Sequence, residues 1–187
     1  MTYSLPTSLH VGDTDIPIRT SYQAALDILI AISDPEWSPR EKAKIVFRIL
    51  YKKPIPGHLQ EEALRQAYWY LDGGQIPKGS KKSPRLIDWE QDFPLVVAPV
   101  NRVLGSDIRS NPDLHWWTFL SAYMEIGGDC LFSQVVNIRQ KKARAERLEP
   151  YEKKWAARNA ELIALPDRYT SEDNSVLAQY GIKAKQR

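Results

Sequence analysis

A single cysteine, Cys130, stands in a chain of 187 residues. No internal disulfide can form, so the fold rests on burial and hydrogen bonding, and a reducing compartment suits it. Histidine is almost as scarce. His10, His58 and His115 are spaced without the H-x-x-x-H or C-x-x-C intervals that bring two ligands to one metal ion. No apolar run approaches the length of about eighteen residues that a membrane span needs. The N-terminus, MTYSLPTSLHVGDTD, lacks the basic-then-apolar order of a secretory signal. Neither Gly73-Gly74 nor Gly127-Gly128 is followed by a phosphate-loop lysine and serine. There is no surplus of one charge either, with 26 basic against 23 acidic residues and a net charge of +3. These gaps leave the expectation of a soluble, non-catalytic, cytoplasmic protein without cofactor, metal or membrane contact.

What is present is apolar and aromatic. The hydrophobic fraction is 43%, and six tryptophans contribute to an aromatic share of 10%. The richest stretch is 88–142. Its centre, 114–126, does not alternate, and at helical spacing only Thr118, Ser121 and Glu125 form a polar stripe. A helix apolar over most of its circumference is surrounded by others. We therefore expect a buried core helix, started by Asn111-Pro112-Asp113 and ended by Gly127-Gly128, with Trp116, Trp117 and Leu120 inside.

The remaining segments also read as helical. Residues 1–20, interrupted by Pro6, Gly12 and Pro17, look like a loose leader with one short extended piece. Helices are expected at 22–32, at 38–52 behind the capping box of Ser38 and Glu41, and at 58–71 with Leu64, Ala67, Tyr68 and Leu71 inward. GGQIPKGSKKSP marks a mobile loop over 73–85, where trypsin should cut first, at 78–82. Further helices follow at 88–104, with Pro99 bending it, at 131–140 capped by Asp129, and at 146–165. The segment 166–187 reads as a tail, partly disordered. No strand pattern of useful length stands out. The fold class is mainly α: a single-domain helical bundle of six to seven helices, with 21–72 and 86–165 as its two parts.

Each conspicuous residue has a plain reading. His115, beside two tryptophans, is expected to be a hydrogen-bonded structural histidine, and Cys130 a small apolar filler. Asp88, Glu90 and Asp92 suit a helix N-terminus without any metal. Between Arg139 and Arg158 eight bases face three acids, which reads as a solvated helix face rather than a nucleic-acid site. Protein binding is the remaining expectation. Trp155 and Tyr151, sharing one side of the last helix, would be its anchors, and Arg139, Lys141 and Lys142 its steering charges.

DWEQD, VNRVLG, LHWWTFL, FSQVVNIRQKKA and ALPD together resemble the tail-gene products of long-tailed siphoviruses and prophages of Gram-positive bacteria, which are assigned as tail assembly chaperones. The resemblance is densest over 86–142. It implies a protein that binds the phage tape measure protein and keeps it soluble in the host cytoplasm during tail assembly. It also implies contact with an upstream tail assembly chaperone, leaves self-association open, and keeps a structural virion component as the alternative.

Overall fold

The computed structural model describes residues 4–75 and 84–166. The cleavage expected at 78–82 and the tail at 167–187 lie outside the described residues.

The N-terminal segment is no loose leader. Strand β1 (Ser8–Val11) pairs antiparallel with β2 (Thr14–Pro17), setting Leu9 opposite Ile16 and Val11 opposite Thr14. Leu9, Val11, Ile16 and Ile18 are buried, while His10 and Asp15 face out and pair at 3.0 Å. This is period-2 patterning, too short to stand out in the sequence. The turn needs Gly12, whose φ is +61°. Its N–H donates to the Glu62 carboxylate at 3.1 Å. Beyond the hairpin, Arg19 N–H donates to the Leu50 carbonyl at 2.7 Å and Lys52 N–H to that of Pro17 at 2.9 Å. The segment is thereby tied to the helical body.

Local caps start the helices. Ser21 accepts from Ala24 N–H at the start of α1 (Tyr22–Ser33). Ser38 and Glu41 form the expected capping box of α2 (Pro39–Leu50). A 3-10 turn leads into α3 (Gln60–Leu71), whose buried face is Ala63, Ala67, Tyr70 and Leu71. Tyr68, expected inside, is 39% exposed. The small side chains of Ala63 and Ala67 let α3 pack closely, and Tyr70 keeps its hydroxyl satisfied on the Thr20 carbonyl. Asp88 caps α4 (Trp89–Leu104), which runs through both Pro94 and Pro99 and ends at Gly105 with φ +69°.

Three expectations about later helices change. The core helix α5 spans only Trp116–Met124 and is capped by His115, because Asn111–Asp113 lies in the turn before it. Helix α6 (Leu131–Ala143) takes its cap from Cys130, not Asp129. The expected last helix is two, α7 (Pro150–Arg158) and α8 (Ala160–Ile163), broken at Asn159. There the side-chain amide donates to the Trp155 carbonyl at 2.9 Å.

The protein is mainly α, a single domain with eight α-helices among the described residues. Helix α1 packs against α2, α4 and α5. The core centres on Tyr22, Tyr70, Trp116 and Phe119, with the Tyr22 and Phe119 rings stacked at 5.2 Å. Helix α5 is less enclosed than expected: Trp117 and Leu120 are half-buried and Met124 is 69% exposed. A second, smaller cluster gathers Ile138, Ala156 and Ile163, with Leu148 and Trp155 against it.

Candidate protein-binding surface

The sequence assigns steering charges to the α6–α7 region, and the fold removes two of the three. Arg139 is buried, its side chain 3% exposed. Its Nη1 donates to Asp92 Oδ2 at 2.5 Å and its Nη2 to Asp92 Oδ1 at 2.9 Å. The other three donors meet the carbonyls of Leu86 (2.9 Å), Leu162 (2.6 Å) and Ile163 (3.0 Å). All five guanidinium N–H groups are used. Gln91 Nε2 adds a bond to the Ala164 carbonyl at 2.8 Å, and Asp92 also accepts from Asp88 N–H at 2.9 Å. DWEQD and the arginine of NIRQKK thus form one network that fastens the last helical turn to the start of α4. Arg139 cannot meet a partner.

Lys141 is occupied as well. Its Nζ donates to Glu152 Oε1 at 2.6 Å, and Glu149 N–H donates to the same carboxylate at 2.9 Å. The Lys141 ammonium, then the Glu149 N–H, hold the Glu152 carboxyl below the usual carboxylate range. Lys142 stays exposed. The inward face of α7 is Glu152, Trp155 and Ala156, at i, i+3 and i+4, so Tyr151 turns outward, 66% exposed. Trp155 is half-buried in the small cluster. Tyr151 and Trp155, four residues apart, lie on adjoining turns of one side of α7, with Tyr151 exposed and Trp155 turned toward the cluster.

A second aromatic surface lies elsewhere, around the His-Trp-Trp motif. Both indoles reach the end of α3, where the last carbonyls have no partners inside the helix. Trp116 Nε1 donates to the Leu71 carbonyl at 3.0 Å, and Trp117 Nε1 to that of Tyr70 at 2.8 Å. His115 Nδ1 accepts from Trp117 N–H at 3.0 Å while Nε2 lies 2.9 Å from the Pro6 carbonyl. Both bonds are made when the ring is neutral with its proton on Nε2, the structural role expected of it. Trp116 N–H to Thr20 O (2.7 Å) and Tyr22 N–H to Leu114 O (2.9 Å) tie the starts of α5 and α1 together. Gly74, at φ +79°, lies under Trp117, and a Cβ there would come within 2.8 Å of the indole.

The motif leaves a groove on its outer side. A concavity of about 400 Å³ is lined by Leu29, Trp89, Trp117, Leu120 and Met124 among others. It meets a second one, of about 580 Å³, lined by Leu64, Tyr68 and Trp69 on α3, and both share Asp72 and Gln75. The Trp69 and Trp117 rings stand edge-on at 5.4 Å. Trp69, Trp89 and Trp117 come from three helices, so no spacing in the sequence announces their meeting. The available signal is weaker: Leu120 and Met124, four residues apart, continue one apolar face beyond the last buried turn. Among the described residues no group of three or more His, Cys, Asp or Glu is placed to hold a metal ion.

A family model described as "Bacteriophage Gp15 protein" matches residues 1–165. No curated protein and no solved structure matches the chain.

Proposed function

The chain belongs to the Bacteriophage Gp15 protein family, and from that premise we propose that it is a tail assembly chaperone that binds the tape measure protein in the host cytoplasm. A role in the phage particle or its assembly follows from the family. The finer assignment draws on the resemblance of DWEQD, LHWWTFL and NIRQKK to the chaperones of siphoviruses and prophages of Gram-positive bacteria, and on one observation. That observation is the groove of Trp69, Trp89, Trp117, Leu120 and Met124. Apolar helical segments kept soluble before tube assembly need a surface that covers their apolar stripes, and an aromatic groove suits this task. The work is binding, without chemistry. The basic stretch plays a smaller part than its composition suggests, because Arg139 and Lys141 are committed internally.

Co-expression tests the reading. The full chain should raise the amount of soluble tape measure protein and co-purify with it. The complex should survive a wash at 1 M salt, where screening shortens to about 3 Å and charge-driven contacts fade. Met124→Glu, at an exposed groove position, should weaken the complex while leaving thermal unfolding unchanged. Absence of a complex, or stoichiometric presence of the protein in mature virions, would replace this reading with that of a structural virion component.

A further inference from the structure

Asp72 stands where the two concavities of the groove meet. It closes α3 with its backbone, its N–H donating to the Tyr68 carbonyl at 2.9 Å and its carbonyl accepting from Gln75 N–H at 3.4 Å. Its carboxylate makes no hydrogen bond or ion pair among the described residues. That sets it apart from the acids that build the fold: Asp92 holds Arg139, Glu152 holds Lys141, Asp107 holds Arg109 and Asp129 holds Arg102. The walls beside it are Trp69, Trp117, Leu71 and Leu120. Partial loss of water among these neighbours raises the Asp72 carboxyl above its ordinary pKa.

A helix lying along the groove would cross this carboxylate with its apolar stripe and strip away more of its water. A carboxylate covered without a partner disfavours binding, whereas a cation in the stripe turns the same position into a contact. We propose that the groove selects amphipathic helices whose apolar stripe carries one lysine or arginine, and that Asp72 is the specificity-determining residue that reads it. The inference rests on the groove being the chaperone's binding surface, and it names the chemistry of the segment bound. The remaining charges along the groove, Glu61 and Arg65, lie one or more turns away on α3 and flank the contact.

Three synthetic helical peptides of about eighteen residues, five turns, provide the probes. They share one leucine stripe and differ only at its central position, which carries lysine, norleucine or glutamate. Calorimetric titration of the full-length protein should rank lysine above norleucine above glutamate, with about fivefold between the first two, the order of a partly exposed ion pair. Asp72→Asn preserves shape. It should leave thermal unfolding unchanged, raise norleucine-peptide affinity because no charge is then covered, and erase the lysine preference. Equal binding of all three peptides, or a lysine preference that persists in Asp72→Asn, overturns the proposal. So does a concentration-dependent dimer that Met124→Glu dissolves, because the occupant is then a second copy. The two readings fail separately. A tape measure complex indifferent to Asp72→Asn removes this inference alone, while lysine-selective peptide binding without any tape measure complex removes the chaperone reading alone.

Discussion

Arg139 shows how far one residue's role can depart from its neighbourhood in sequence. It stands in a basic run, yet it falls on the apolar stripe of α6, at i+4 from Val135 and i+7 from Phe132, both buried. Charge counting hides that spacing, and the partner, Asp92, is 47 positions away. An arginine can fill five acceptors in a plane, whereas lysine offers three donors from a single point. Arg139→Lys should therefore fail as a conservative change. Lysine leaves two of the five buried acceptors without a donor, at about 1–3 kcal/mol each, and a urea melt should show a loss of about 2 kcal/mol or more. A loss under half a kcal/mol would mean the network is solvated. Core positions separate in the same way: Phe119, fully buried, should lose about 3–5 kcal/mol on truncation to Ala. Half-buried Leu120 should lose clearly less than the Leu→Ala range of about 2–5 kcal/mol.

Elements were legible in proportion to how local their signals are. Ser21, Ser38 and Asp88 announce helix starts through bonds to residues three positions on, so those helices could be read directly. The β-hairpin could not. Its four-residue strands carry two buried side chains each side of Gly12 only when Ile18 is counted, and their partner face is α3, some fifty residues later. The cap of α5 was misplaced for a related reason: His115 is an uncommon cap, chosen here because Pro6 satisfies its other nitrogen. The groove was illegible because it is a junction of α3, α4 and α5. One element carries visible strain. Helix α6 ends with Glu146 N–H bonded to the Lys141 carbonyl and Ala145 N–H to that of Lys142, a Schellman ending that places Ala145 at φ +55°. Glycine holds that conformation without penalty, so Ala145→Gly should stabilise by about 0.5–1 kcal/mol. An unchanged or lowered midpoint in thermal unfolding would show the turn to be unstrained.

At the scale of the whole molecule, two hydrophobic clusters share helix α6, which carries Phe132 in one and Ile138 in the other, and polar bonds fasten them further. The small cluster around Ile138, Ala156 and Ile163 buries too little to stand alone, and the Arg139 network and the Lys141–Glu152 pair hold α7 and α8 against α6. The second of these is sensitive to acid. The folded-state pKa of Glu152 lies below its ordinary value of 4.5. Its contribution is therefore fully present above that value and is lost as pH falls through the lower, folded-state one. Glu41, held down by Ser38, and Asp107, held down chiefly by Arg109, act in the same direction at the ends of other helices. Glu152→Gln removes the carboxylate charge at every pH while keeping its shape. The stability difference between wild type and Glu152→Gln, measured by urea melts, should be largest at neutral pH and shrink to nothing as the pH falls well below 4.5. A difference that does not change with pH would mean that Glu152 holds α7 against α6 by packing alone.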